Sequence, residues 1–317
     1  MGISQAIHND ILVAQTKRRQ LTRYQRRNLW FYIFISPFLF GLFFLTIFPI
    51  GYGFYISLTN YDGFALTGIK FVGFENYQRA FRDPYVWLSL RQTLLWIVLN
   101  VPAWIISSFC IALLLNRKIR FSGAFRTLYY LPTVIPAVAV VTIWKIVLDR
   151  NAGLLNGLLS LVRPGTALPW LGQYALWGTL AMSVWSSLGW GMVIFLAGLQ
   201  GIPNELVEAA HIDGAGSGGI FRHITLPLMT PVLFFQIIMS LIGAFQQFLF
   251  PLLIGTSQSV PNVPRSIYFF MVFTFLRIQE GFYGYGLALL WLLFTGIILL
   301  TALIFWSERF WVYKGDI

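Results

Sequence analysis

Six apolar runs, each of about 20 residues or more, divide this chain and leave little freedom in what it can fold into. They cover roughly Trp30–Leu58, Thr93–Leu115, Phe125–Leu148, Ala175–Leu199, Leu226–Phe250 and Gly286–Trp306. Inside a bilayer each backbone polar group needs a partner within the protein, so runs of this length become helices. Pro37, Pro102, Pro132, Pro136 and Gly189 interrupt several of them. Membrane helices tolerate such residues, because neighbouring helices can satisfy the freed backbone groups. Only 10% of the 317 residues are charged, against roughly 25% in soluble domains. The expected fold is an all-α membrane protein with six transmembrane helices. A basic tail (residues 1–29) precedes the transmembrane domain (30–306), and a short tail (307–317) follows it.

The net charge of +11 is read through topology, because orientation in the bilayer already explains an excess of Lys and Arg; no nucleic-acid partner is expected. With the N-terminus inside, that side holds Lys17, Arg18, Arg19, Arg23, Arg26, Arg27, Arg117, Lys118, Arg120, Arg126, Arg222, Arg309 and Lys314. The other side holds Lys70, Arg79, Arg82, Arg91, Lys145, Arg150, Arg163, Arg265 and Arg277. The densest clusters lie in the tail and the short second connection, where the rule counts most, so both termini are expected in the cytoplasm. The long first run lacks a small-residue cleavage site, so the tail reads as uncleaved. A single Cys110 excludes an internal disulfide, and His8, His211 and His223 lack metal-ligand spacing.

The polar interruption between Pro203 and Pro231 is the most informative connection. Pro203 suits the start of a helix, Glu205 and Glu208 suit its positive N-terminal end, and Gly214 is placed to stop it in a left-handed conformation. Leu206, Ala209, Ala210 and Asp213 share a narrow face at three- and four-residue spacing. The product is a short capped helix on the cytoplasmic side, shaped as a docking knob. Gly214, Gly216 and Gly219 formally satisfy G-x-G-x-x-G. That motif needs a preceding strand in a βαβ unit; a charged helix precedes it here and a membrane span follows, so the chain binds no nucleotide itself.

Glu208-Ala209-Ala210, Asp213-Gly214-Ala215, Ile224-Thr225-Leu226-Pro227 and Pro231 follow a long pattern with fixed spacing. The stretch resembles the EAA loop of ABC-importer permeases, a cytoplasmic coupling helix that sits in a cleft of the ATPase subunit. The resemblance assigns Glu205, Glu208, Ala209, Ala210, Asp213, Gly214 and Ala215, within a coupling loop over 203–225, to ATPase contact. Tyr61-Asp62-Gly63-Phe64, Phe71 through Tyr77, Leu115-Asn116-Arg117-Lys118, Tyr130-Leu131-Pro132, Gly153 through Asn156 and Trp311-Val312-Tyr313 extend it from about Phe31 to the end. They are similar to permeases of the maltose and glycerol-phosphate type. Ile254-Gly255-Thr256-Ser257 departs from the G-G-G-P turn frequent in that family.

The resemblance implies a subunit of the prokaryotic plasma (inner) membrane importing a sugar, oligosaccharide or glycerol-phosphate-like solute. Its partners would be a second permease in a heterodimer, two ATP-binding subunits and an extracytoplasmic solute-binding protein. The chain itself would hold no cofactor or metal, and ATP and magnesium would be bound by the partner ATPases. No side-chain arrangement suggests catalysis, and no carboxylate lies in the middle of a span, where proton coupling would want one.

An uncharged pathway for a polyhydroxylated solute wants amides, hydroxyls and aromatic faces. Gln236, Gly243 and Gln247 share a helix face. The family's substrate site, carried over by position, falls on Leu188, Gly189 and Met192 of the fourth span and Gly243, Ala244, Gln246 and Gln247 of the fifth. Small residues and amides also pack membrane helices together, so either role fits them. Lys145 can snorkel to the interface or touch solute. Two other classes stay open: a six-span carrier or channel independent of ATP, and an ABC permease for a peptide or amino acid.

Overall fold

The computed structural model describes residues 23–63, 69–117, 120–255 and 262–313. Among these residues the fold is helical, and the only β-pairing is an isolated bridge between Thr59 and Phe71. Among the described residues five helices are long and apolar enough to cross a bilayer, or six when a bent pair of shorter apolar helices is counted as one span. Most of the basic tail, Phe64, Lys118, Lys314 and the Thr256-Ser257 pair lie outside the described residues.

The chain divides into two units, residues 1–55 and 56–317. The first contains α1 (Arg23–Leu42), a π-helical turn (Phe43–Ile47) and most of α2 (Phe48–Ser57). From Trp30 to Ser57 these make one apolar helix of 28 residues. Pro37 cannot donate to the Ile33 carbonyl one turn back. The Ser36 hydroxyl donates to that carbonyl at 2.9 Å instead, which is how the span carries a proline without an orphaned acceptor.

The second unit runs through α3 (Glu75–Arg82), α4 (Pro84–Asn116), α5 (Ser122–Val134), α6 (Ala137–Val147), α7 (Leu154–Val162) and α8 (Ala175–Gln200). Then come α9 (Asn204–Ile212) and α10 (Ser217–Ile220), which passes through a π-helical turn (Phe221–Thr225) into α11 (Leu226–Phe245). Next are α12 (Leu249–Gly255), α13 (Phe270–Gln279) and α14 (Tyr283–Trp311). The serine device recurs in α11, where the Thr230 hydroxyl donates at 2.6 Å to the Pro227 carbonyl that Pro231 leaves free.

The core is built around α8, whose glycines admit its neighbours. A Cβ on Gly191 would lie 2.7 Å from Ser108 Oγ and from the Trp104 ring of α4, and one on Gly189 would lie 2.6 Å from the Tyr129 carbonyl oxygen of α5. Close approach then permits polar bonds between helices, as small residues do in membranes. Trp104 Nε1 donates to the Ser187 carbonyl at 3.0 Å, and Asn100 donates to Ser183 Oγ at 3.0 Å. Phe109, Met192, Phe195, Leu199 and Met229 fill one end of the bundle; Trp96, Phe245, Phe269, Phe273 and Leu289 fill the other.

Four boundaries differ from the apolar-run reading. The second crossing begins at Pro84, well before Thr93, because Asp83 caps α4 by accepting from the Tyr85 amide at 2.9 Å with proline in the first turn. The third is not one continuous span: α5 and α6 meet at 102°. Ile135, preceding Pro136, is pushed to ψ 128 and ends α5, as the residue before a proline tends to do. The pair still follows α8 across the bundle, from Gly189 beside α5 to Gly178 beside Leu148. The fifth span reaches back to Ser217 and breaks at Gln246–Phe248, and the sixth runs from Tyr283 to Trp311. Residues 270–279, which no apolar run covered, form α13, whose Val272 and Phe273 are buried and whose Phe270 amide donates to Thr93 Oγ1 at 2.8 Å.

A polar staple fixes the connection between α6 and α8. The Asn156 amide nitrogen lies 3.0 Å from the carbonyls of Arg150 and Leu168, and its oxygen accepts from the Trp170 indole at 2.9 Å. Asn156→Ala leaves those groups without partners inside the fold, at about 1–3 kcal/mol for each buried group left unsatisfied. A clear drop in melting temperature in detergent is expected, and an unchanged melting curve would remove Asn156 from this role.

Candidate functional site

The connection between α8 and α11 forms the helix expected of it, with Pro203 one position earlier than foreseen, as the N-cap rather than the first helical residue. At its far end Asp213 is the C-cap and Gly214 takes φ +80. The Gly214 amide donates to the His211 carbonyl at 3.1 Å, and the Ala215 amide reaches the Ala210 carbonyl at 2.9 Å. This is the paired Schellman closure, which needs a left-handed residue after the cap. Gly214→Ala retains the space, since nothing lies within 4 Å of its added Cβ. It carries the left-handed strain, about 1 kcal/mol, so a small loss of stability is expected by thermal melting.

The helix stands proud of the bundle. None of its residues is buried, Ile212 is 87% exposed and Leu206 is 45% exposed. Glu205, Glu208, Ala209, Asp213 and Gly214 are exposed, while Ala210 and Ala215 are half-buried. An acidic and apolar face therefore looks outward. The other face, with Asn204, Val207 and His211, overlooks a cleft of about 780 Å³ bounded by Asn116 and Arg117 of the α4 end and Leu199 and Ile202 of the α8 end. Past Gly216 the chain enters helix at Ser217 and stays helical to Phe245, so the knob is joined by four residues to a rigid rod. The Tyr313 amide donates to Thr230 Oγ1 at 2.8 Å, which places the described C-terminal end of the chain beside this rod.

The eight residues proposed for a solute path separate by burial. Gly189 and Met192 are packed inside the bundle, Met192 with no exposed surface. Gln236 is also fully buried, its amide nitrogen 3.4 Å from the Gly191 carbonyl, and its oxygen has no hydrogen-bond partner among the described residues. Ala244 is buried, and Leu188 is half-buried. Gly243 and Gln246 are exposed, with Gln247 half-buried beside them.

Those last residues meet at the break in the fifth span. Pro251 explains the break, because a proline sits well in the first turn of a helix and badly in its interior. It occupies the third position of α12, whereas a continuous span would have placed it mid-helix. Pro251 was thus the signal for this unwound segment, and hydropathy alone hid it. Broken membrane helices of this kind expose polar backbone where they line a cavity. Among the described residues no three His, Cys, Asp or Glu side chains converge as a metal site.

Residues 105–312 match the family model for the binding-protein-dependent transport system inner membrane component. The probable ABC transporter permease protein YesP of Bacillus subtilis (strain 168) is 35% identical over 294 residues, covering 91% of this chain and 93% of that protein. The lactose transport system permease protein LacF of Rhizobium radiobacter is 34% identical over 74% of this chain and 78% of its own length. The sn-glycerol-3-phosphate transport system permease protein UgpA of Pectobacterium atrosepticum is 32% identical over 83% and 87%. The fold matches a chain of a bacterial alginate ABC transporter, solved in complex with an alginate pentasaccharide-bound periplasmic protein. That match has a TM-score of 0.77 at 18% identity, over 90% of this chain and 95% of that one.

Proposed function

This chain belongs to the family of binding-protein-dependent transport system inner membrane components, and from that premise we propose that it carries a sugar, oligosaccharide or glycerol-phosphate-like solute inward under the drive of ATPases docked on α9. It is a membrane-spanning permease subunit of an ABC importer. The finer reading adds a second permease beside it, two ATP-binding subunits on the cytoplasmic face with ATP and magnesium, and an extracytoplasmic solute-binding protein. The observation that carries the reading is the exposed, Schellman-closed α9 coupled through four residues to the continuous helix Ser217–Phe245. A partner that shifts α9 as ATP binds moves one end of that rod, whose other end is the unwound Gln246–Phe248 segment. Both chain termini are taken as cytoplasmic in this reading, in keeping with the distribution of Lys and Arg along the sequence.

The solute reading draws on the lactose, glycerol-phosphate and starch-product permeases among the relatives and on the amides of Gln246 and Gln247. Each hydrogen bond from an amide to a sugar hydroxyl is worth about 0.5–1.5 kcal/mol. Replacing both glutamines by alanine is expected to lower apparent affinity roughly five- to a hundred-and-fifty-fold, with normal assembly. Uptake kinetics in proteoliposomes read this directly.

The test of the whole reading is uptake of labelled monosaccharides, oligosaccharides, glycerol phosphates, peptides and amino acids in cells lacking this chain. Loss confined to one carbohydrate or glycerol-phosphate solute, restored by re-expression, supports it. Loss confined to a peptide or amino acid overturns the solute class, and uptake that persists in ATP-free vesicles overturns the ATP coupling.

A further inference from the structure

At the end of the bundle opposite α9, the short helix α7 has two faces of different character. Leu155 and Asn156 face inward: Leu155, like the half-buried Trp170, packs against the core cluster that holds Leu148, and Asn156 is the staple described above. The outward face carries Leu154, Leu158, Leu161 and Val162, which are 66%, 63%, 80% and 89% exposed. These positions follow the three- and four-residue spacing of one helical stripe. Because Asn156 locks the inner face, the helix cannot roll to bury the outer one.

Three further observations say what covers that stripe. Leu148 lies beside Gly178, so α7 sits at the level where α8 begins and leaves the hydrocarbon. Trp170 and Tyr174 pack at a tilt in that segment with ring centroids 6.0 Å apart, and Trp177 of α8 is 51% exposed. Indole and phenol rings gather at this depth because one edge is apolar and the other wet. The apolar surface of α6 also continues toward α7, with Ile146 67% exposed. Finally, residues 145–174 carry Lys145, Arg150 and Arg163 against a single carboxylate, Asp149. The Asp149 carboxylate is turned onto the Asn151 and Ala152 amides at 2.9 and 2.8 Å. Arg150 and Arg163 are exposed, and among the described residues neither is ion-paired.

We propose that α7 is an in-plane membrane helix, its Leu154–Val162 stripe sunk among the lipid acyl chains at the bilayer surface and Arg150 and Arg163 engaging anionic lipid headgroups. Leucines on one face with arginines at the flanks are the chemistry of interfacial helices, and anionic headgroups draw basic side chains within a Debye length. The helix would brace the bent α5–α6 crossing against the membrane surface.

The test uses the full chain assembled in proteoliposomes with its partner subunits, in a Cys110→Ser background carrying Leu158→Cys labelled with a bimane fluorophore. Lipids brominated near the headgroup, and aqueous iodide, serve as quenchers, with Gln173→Cys in the exposed connection as a water-facing control. Strong quenching of the Leu158 label by brominated lipid and weak quenching by iodide is expected, with the reverse at position 173. Brominated phosphatidylglycerol should quench several-fold better than brominated phosphatidylcholine, and Arg150→Gln with Arg163→Gln should erase that preference. Iodide quenching at position 158 overturns the proposal by placing the stripe in water. Protection from both quenchers overturns it by placing a protein partner there, and equal quenching by the two lipids overturns the headgroup contact.

Discussion

Glu208→Lys is expected to cut ATP-driven uptake at least ten-fold while the protein remains in the membrane at its normal level. Glu208 lies midway along α9, exposed, on a helix with no buried residue, so its replacement disturbs no packing. Lysine and glutamate have nearly equal helix propensity, and the lost dipole interaction is worth about 0.3–1 kcal/mol. The fold barely registers the change. A docked partner meets a reversed charge, and at a close contact leaving the opposing charge unpaired costs about 2–5 kcal/mol, or roughly thirty- to several-thousand-fold in affinity. Uptake per quantity of membrane-inserted protein separates the two effects. Normal uptake by the variant removes α9 from coupling, and loss of the protein from the membrane shows instead that Glu208 supports the fold.

Gly189→Val is expected to fail earlier, in folding. A Cβ there would stand 2.6 Å from the Tyr129 carbonyl oxygen and the Tyr130 Cα, and 2.8 Å from Thr133 Oγ1. Two of these are backbone atoms of α5 that no rotamer change can move. Overpacking costs about 1–3 kcal/mol and more where backbone must shift, so the variant should melt lower or fail to accumulate. Gly243→Val is the contrasting substitution, since its Cβ has nothing within 4 Å; it should leave melting unchanged. Thermal melting of the detergent-purified pair makes the comparison. A Gly189→Val protein of normal stability that has lost uptake would instead favour a place for Gly189 in the solute path.

That contrast shows where sequence reasoning reached and where it stopped. Apolar runs locate membrane helices because the bilayer imposes one rule on every backbone group, and Gly214 located the end of α9 because its left-handed turn suits glycine. Hydropathy is blind to direction, so Phe125–Leu148 read as one span although Pro136 turns it by 102°. The same averaging passed over the break before Pro251. It also missed α13, whose 10 residues are too few to cross a bilayer yet bury Val272 and Phe273 in the helix bundle.

The solute-path candidates were ambiguous for a different reason. Glycine, methionine and glutamine serve helix packing and solute contact with the same atoms, so residue type alone does not assign them. Gly189, Met192, Gln236 and Ala244 lie inside the bundle, whereas Gly243 and Gln246 remain open. No spacing rule within one chain could have sorted them, because α5 and α4 decide which side of α8 is occupied.

Co-purification from native membranes through a tag on this chain, with identification of each protein recovered, tests the docking of an ATPase on α9 most directly. An ATP-binding subunit is expected with the wild-type chain, and its loss with Glu208→Lys at equal membrane abundance. Recovery of the chain alone, active in vesicles without ATP, would contradict that docking and make this protein a carrier that works unassisted.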